Sequence, residues 1–271
     1  MKYIIKFGLS ILSMPVFSRM YGWLTKRRRP VFLINIIIRF FVNTYDISMD
    51  EFEGDVEDYH SLNEIFLRRF APAVRPLKKD DKFILSPADG ILSNLELVKE
   101  DKAFQIKGSA YSISELINEK IDFSKGWYVA TIYLSPKDYH RFHYPASGEL
   151  ESYCHLRGRL YPVNSIGLNN IKELFIKNER IAVKTVINEF PLYFIAVGAT
   201  FVGSIKMEFI NRYGRDNIWK KVNVEISQLD EMGRFELGST IVMLFPEEPA
   251  ESLVTGTGER VKVGDKLFRL K

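Results

Sequence analysis

Hydrophobic positions change texture along this chain. Residues 1–45 hold two short apolar, aromatic-rich stretches on either side of "KRRR" (26–29). From residue 46 the apolar runs shorten and are broken by Gly and Pro. Strand-like runs then dominate: "WYVATIYL" (127–134), "RIAVKTVI" (180–187), "LYFIAVGATFVGSI" (192–205), "KKVNVEISQL" (220–229) and "STIVMLF" (239–245). Their β-branched and aromatic content suits a pleated surface. "KFIL" and "ILSNL", on either side of "SPADG" (86–90), read the same way, and "GERVKVGDKLFRL" (258–270) predicts two short strands around Gly264-Asp265. Two helix starts show capping-box spacing. "SLNE" (61–64) predicts a helix of about two turns from Ser61, and "SISE" (112–115) a short one through Leu116 and Ile117. No repeat of fixed period is present. The expected fold is mainly β with some helices (α+β). A compact β-barrel or sandwich-like catalytic domain over 46–271 follows N-terminal amphipathic helices in 1–45.

At 271 residues the chain is one large domain, or one domain with an appendage. Its hydrophobic share of 46% beside 27% charged residues is that of a globular protein. The single cysteine, Cys154, excludes an internal disulfide and fits a reducing compartment. Charge changes the picture more. The net +4 conceals eight basic and no acidic residues in 1–45, against 30 basic and 34 acidic in the remainder. Lys6, Pro15 and Arg19 interrupt the arm too often for a spanning helix, and no small-residue cleavage site marks a signal peptide. The pattern suits helices in the lipid headgroup zone, aromatics sunk and Arg/Lys meeting anionic lipid. A pair of core helices joined by a solvated basic loop is the alternative. Nucleic acid is not an expected partner, because the cationic cluster is short and lies between Ile/Phe runs.

Candidate chemistry gathers in a few places. Gly238 and Ser239 precede an apolar run where a simple bend would serve equally well. "SPKDYHRFHYP" (135–145) holds two of the four histidines, His140 and His143. No third ligand accompanies them, so no metal is expected. They suit general acid/base work or a solvated loop. Asp89 in "SPADG" is a common turn residue, yet Asp89, a histidine and Ser239 would together allow a hydroxyl to be activated. "ELGST" is not the GxSxG elbow of α/β hydrolases.

Taken in order, "FLRRFAPAVRP" (66–76), "SPADG" (86–90), "QIKG" (105–108), "YSISELI" (111–117), "YLSPKDYHRFHYPASG" (133–148), "GRLYPVN" (158–164), "NER" (178–180), "VGATFVGSI" (197–205) and "EMGRFELGSTIVMLF" (231–245) form a specific series. It resembles the bacterial phosphatidylserine decarboxylases, which make their own pyruvoyl cofactor. The resemblance covers most of 59–271. It implies self-cleavage between Gly238 and Ser239 into 1–238 (beta chain) and 239–271 (alpha chain), with Ser239 converted to the pyruvoyl group. His143 is then the base and Asp89 the partner that orients it. The pyruvoyl ketone would form a Schiff base with phosphatidylserine, and loss of carbon dioxide would give phosphatidylethanolamine. His140 is expected in substrate handling or protonation, and Gln105 and Lys107 at the lipid headgroup. Expected partners are phosphatidylserine, anionic membrane lipid, and an alpha–beta heterodimer that pairs into a homodimer. The expected place is the cytoplasmic face of the inner membrane, peripherally bound. Three competitors stay open: a pyruvoyl decarboxylase for another headgroup, an Asp/His/Ser lipid hydrolase, and a non-enzymatic lipid-binding β-protein.

Overall fold

A computed structural model describes residues 13–14, 23–72, 74–75, 77–106, 109–200, 205–211, 214, 216–236 and 239–271. The first half carries α1 (Val31–Tyr45), α2 (Leu62–Phe66), β1 (Phe83–Leu85), β2 (Gly90–Val98), β3 (Ala103–Ile106), β4 (Ser109–Tyr111), α3 (Ile113–Ile117) and β5 (Trp127–Leu134). Next come β6 (Arg141–His143), β7 (Gly148–Leu156), α4 (Ser165–Asn170), α5 (Leu174–Lys177), β8 (Arg180–Ile187) and β9 (Phe190–Val197). The chain ends with β10 (Ile205–Met207), β11 (Lys220–Ile226), β12 (Glu231–Phe235), β13 (Ser239–Pro246), β14 (Ala250–Leu253), β15 (Arg260–Val261) and β16 (Lys266–Leu270).

Eight strands form one antiparallel sheet in the order β11-β7-β8-β9-β13-β5-β2-β15. β13 lies near its centre, pairing from Ser239↔Leu134 to Pro246↔Trp127 on one side and from Thr240↔Val197 to Leu244↔Tyr193 on the other. All eight of its residues are buried, because both faces of the sheet are covered. Ile241, Met243 and Phe245 meet Phe142, Phe235 and Phe268 from the small sheets β10-β12-β6 and β1-β16-β14. Val242 and Leu244 meet Ile113 of α3 and Leu174 of α5. A strand buried on both faces reads as an unbroken apolar run, which is why "STIVMLF" does not alternate. Each such side chain contributes about 1.5–3 kcal/mol by leaving water.

The sandwich-like form of the expected architecture is the one that forms. Among the described residues β11 and β15 remain edges, so the sheet does not close into a barrel. The run 192–205 is not one strand. β9 ends at Val197, where the Gly198 N–H leaves the ladder for the Glu179 carbonyl (2.9 Å), and β10 begins a different sheet against β12. The β8–β9 hairpin turns on Asn188 and Glu189, with φ of 47° and 70°, the positive pair that matches strand twist.

The caps at Ser61 and Ser112 form as the spacing suggests. Ser61 accepts from the Glu64 N–H (3.2 Å) and Ser112 from the Glu115 N–H (3.1 Å). The return bond at the first cap comes from His60 N–H to Glu64 Oε2 (2.8 Å), one residue earlier than the motif prescribes. α2 stops after five residues, shorter than the two turns expected.

α1 is apolar nearly all round but buries one stripe. Ile38 and Val42 pack with Ile47, Leu62 and Ile65. Val31, Phe32, Leu33, Ile36, Ile37 and Phe40 stay exposed, Phe32 and Phe40 by 69% each. Arg28, Arg29 and Arg39 are exposed beside this apolar face. Among the described residues no helix is long and apolar enough to cross a membrane.

Candidate active site

"SPADG" is fixed by the C-terminal hairpin. Ser86 N–H donates to the Asp265 carbonyl (2.7 Å), and Gly264 N–H donates to the Ser86 carbonyl (3.0 Å). Gly90 follows Asp89 because a Cβ there would lie 2.5 Å from the Tyr133 carbonyl oxygen. The turn therefore lies directly against β5. Asp89 is 7% exposed, and its Oδ1 accepts from Arg75 Nη1 (2.7 Å) and from the Val263 backbone N–H (2.8 Å). Burial raises its pKa, and the Arg75 bond opposes that rise. Arg75 also pairs with Glu51, stacks on the Phe70 ring at 4.1 Å, and shares Glu51 with Lys262.

His143 sits one hydrogen bond from the same turn, its backbone N–H on the Pro87 carbonyl (2.8 Å). Its Nδ1 lies 2.7 Å from the Leu229 carbonyl. A carbonyl only accepts, so Nδ1 carries the proton and Nε2 the lone pair. Nε2 has one long contact, 3.4 Å, to the Tyr139 hydroxyl. Burial lowers the His143 pKa, so the ring stays neutral at ordinary pH. Asp89 acts on it through space. Among the described residues no hydrogen bond joins the two, and Leu229 holds the tautomer that the sequence reading gave to Asp89.

His140 is 1% exposed and donates Nδ1–H to the Asp138 carbonyl (2.8 Å). Its Nε2 is buried and has no partner among the described residues. Burial pushes its pKa down to about 3. The Phe66 ring lies 3.9 Å from it, centre to centre, and Phe66 in turn lies 6.3 Å from Phe41 of α1. Arg68 fastens the same loop by donating to the Lys137 and Asp138 carbonyls, 2.5 and 3.3 Å.

Topology brings Ser239 to this place. β12 pairs with β6, and β13 pairs with β5, so the β12–β13 and β5–β6 connections join the same two pairs of strands. Phe235 N–H donates to the His140 carbonyl (2.9 Å) at one end of these connections, and Ser239 stands opposite Leu134, in antiparallel sense, at the other. Gly233 permits the close packing, since a Cβ there would lie 2.3 Å from the Lys206 carbonyl oxygen and 2.8 Å from the Phe142 ring. Ser239 is fully buried, and among the described residues its hydroxyl has no hydrogen-bond partner. Gly238 lies outside the described residues. Lys26 of the basic cluster reaches Glu236, two residues before Gly238, with contacts of 3.0 and 3.1 Å.

Gln105 lines a cavity of about 360 Å³ together with Thr240, and its amide also ties the neighbouring helices. Its Nε2 donates to the Leu168 and Ile171 carbonyls (3.1 and 3.2 Å), and its Oε1 accepts from the Leu174 N–H (2.7 Å). Both amide hydrogens are used in tying α4 to α5. Lys107 lies outside the described residues. Arg75, Tyr139 and the Leu229 carbonyl were missed in the sequence. Arg75 is visible there only as an arginine before a proline, and its partner lies 14 residues on, across a turn.

A family model described as phosphatidylserine decarboxylase matches residues 62–269. The phosphatidylserine decarboxylase proenzyme of Saccharophagus degradans is 38% identical over 250 residues, covering 88% of this chain and 86% of its own. That of Brevibacillus brevis is 37% identical, covering 80% and 81%, and that of Marinobacter nauticus 34% identical, covering 93% of each. The chain belongs to the phosphatidylserine decarboxylase family.

Proposed function

We propose that Ser239 breaks the peptide bond preceding it, and that the group left on residue 239 serves to decarboxylate phosphatidylserine. The observation that carries this reading is the Ser239 hydroxyl, fully buried at the first residue of β13 and unpaired among the described residues. An unpaired buried hydroxyl costs about 1–3 kcal/mol, and a hydroxyl kept there for chemistry accounts for that cost. The relatives named above are proenzymes, which agrees with a chain that cuts itself.

His143 Nε2, the lone-pair nitrogen, takes the Ser239 proton. Oγ attacks the Gly238 carbonyl, the amide C–N bond breaks as nitrogen receives a proton, and an ester forms. Removal of the residue 239 α-proton then breaks the ester C–O bond. Gly238 leaves as a carboxylate and residue 239 becomes dehydroalanine, which takes up water and loses ammonia. Asp89 in its ionised form stabilises the transient imidazolium by its field, and the Arg75 and Val263 bonds oppose the rise that burial gives its pKa. The residues present fit the resulting pyruvoyl group: residue 239 is enclosed, and among the described residues its hydroxyl makes no hydrogen bond that the conversion would break. That group supplies a ketone to take the substrate amine and to withdraw the electron pair left by carbon dioxide. His140, neutral and with a bare Nε2, suits accepting a hydrogen bond from substrate better than delivering a proton.

Pairing of β13 on both sides would retain the 239–271 chain after the cut. The arm 1–45 would hold the enzyme at the cytoplasmic face of the membrane through the exposed face of α1, and a dimer of the two-chain unit remains the expected assembly. Phe41 and Phe66 lead from α1 to His140, so a lipid arriving at α1 is already beside the site. Comparing wild type with Ser239→Ala tests the reading. The variant should stay one chain and release no carbon dioxide from carboxyl-labelled phosphatidylserine. Cleavage or turnover by the variant overturns it.

A further inference from the structure

The basic cluster "KRRR" suits lipid by its charge, yet three of its four cations are engaged on the protein itself. Lys26 Nζ lies 3.0 and 3.1 Å from the two carboxylate oxygens of Glu236. Arg27 stacks its guanidinium over the Trp23 ring at 3.6 Å. Arg28 pairs with one oxygen of Glu64 (2.6 Å), whose other oxygen accepts from the His60 N–H at the start of α2. The arm is also seated at two further points. Thr25, next to Lys26, is buried, and the Ser13 carbonyl accepts the Leu160 N–H (3.0 Å). Lys26 is therefore presented by a segment packed on the body of the protein, and its partner lies 210 residues on.

We propose that Lys26 is a positioning residue for self-cleavage: by holding Glu236 it keeps the peptide bond before Ser239 within reach of the buried hydroxyl. The inference rests on the function proposed above. Glu236 opens the short connection from β12, which ends at Phe235, to β13, which begins at Ser239. Phe235 is fixed by its N–H on the His140 carbonyl, and Ser239 by pairing opposite Leu134. An anchor on Glu236 removes freedom from the connection between these two fixed ends, which contains the bond to be cut. Attack on a carbonyl needs the reacting atoms about 3–3.5 Å apart, so a small drift of the connection costs rate steeply. The Glu236 side chain is 11% exposed and that of Lys26 49%. Such a pair adds little to global stability, because water screens the exposed partner. Its effect falls instead on where Glu236 stands. The arm then serves maturation as well as attachment: the chain cuts efficiently only with the arm seated on the body.

The rate of chain separation in freshly refolded full-length precursor, followed by denaturing electrophoresis, tests the proposal. Lys26→Met keeps the stem, removes the charge and should slow cleavage by about tenfold or more, since a misplacement of about 1 Å costs on the order of 10²-fold. Lys26→Arg should stay within about threefold of wild type. Lys26→Glu and Glu236→Lys should each be slow, and the two together should recover most of the rate, which a merely structural loss would not. Sodium chloride at about 1 M should slow the wild type and leave Lys26→Met little changed. On a Ser239→Ala background, Lys26→Met should unfold within about 2 °C of its parent. Wild-type rates in both Lys26→Met and Glu236→Lys, or a double swap as slow as its single variants, overturn the positioning role while leaving self-cleavage standing. Should Lys26→Met fail to fold, the wild type's response to salt decides, and an unchanged rate overturns the proposal. A wild-type chain that never cuts itself removes the underlying reading instead.

Discussion

Replacing Arg75 with methionine isolates the part played by the Asp89 charge. The pair is close and dry, 2.7 Å with both side chains 11% exposed. Burial already raises the Asp89 pKa, and the charges facing it are mixed: Arg75, Arg68 and Lys262 against Glu51 and Asp138, with neutral Tyr139 and His143 alongside. An opposite charge at this range lowers a carboxyl by about 1–3 pKa units, so its loss raises Asp89 by that much again. If self-cleavage needs ionised Asp89, its acid limb moves up by about 1–3 pH units, with a tenfold loss of rate for each unit below the new pKa. Cleavage of freshly refolded precursor, followed by denaturing electrophoresis from pH 5 to 9, reads the shift on that scale. Arg75→Met should be slow at pH 6 and recover toward pH 9, while Arg75→Lys keeps most of the neutral rate. Stability carries the same sign. A carboxyl raised in the folded state contributes stability that is present below its ordinary pKa and lost as pH rises through the folded value. On a Ser239→Ala background, Arg75→Met should therefore lose more thermal stability at pH 8 than at pH 5. A rate lowered equally at every pH, or left unchanged, would refute the electrostatic role.

Further expectations follow from single residues. Tyr139→Phe removes the 3.4 Å contact on His143 Nε2, so self-cleavage should be retained or faster, as a time course of chain separation shows. Gln105→Leu breaks three bonds to the α4–α5 segment and should cost about 2–4 kcal/mol in urea unfolding of the Ser239→Ala protein. His140, held neutral with a pKa of about 3, contributes stability present above its ordinary pKa of 6.5 and lost as pH falls toward 3. His140→Phe should therefore flatten the acid side of the thermal stability curve between those values.

What the sequence disclosed was local. "WYVATIYL" and "RIAVKTVI" are β5 and β8 to the residue, because β-branched and aromatic runs bounded by turn residues leave little choice. Ser61 and Ser112 cap as written, since the donor lies three residues away. Long-range partners were not disclosed. Nothing near Asp89 indicates that its oxygen meets Arg75 and the Val263 N–H, 174 residues on, or that the Leu229 carbonyl holds His143. The break at Gly198 was hidden for the same reason, its new acceptor being Glu179. Gln105 belongs to a recognisable motif, yet only the fold shows that its amide ties α4 to α5. The exposed face of α1 was half legible: composition gave the apolar arm, and packing against Leu62 and Ile65 decided which stripe is covered.

The central claim is that Ser239 cuts its own chain and is consumed in doing so. The intact mass of freshly purified protein under denaturing conditions tests it most directly. The account predicts two chains divided between Gly238 and Ser239, the 239–271 piece lighter by one ammonia than a serine-terminated peptide. A 239–271 piece with an ordinary serine terminus, or a chain that remains whole after incubation with phosphatidylserine vesicles, would contradict it.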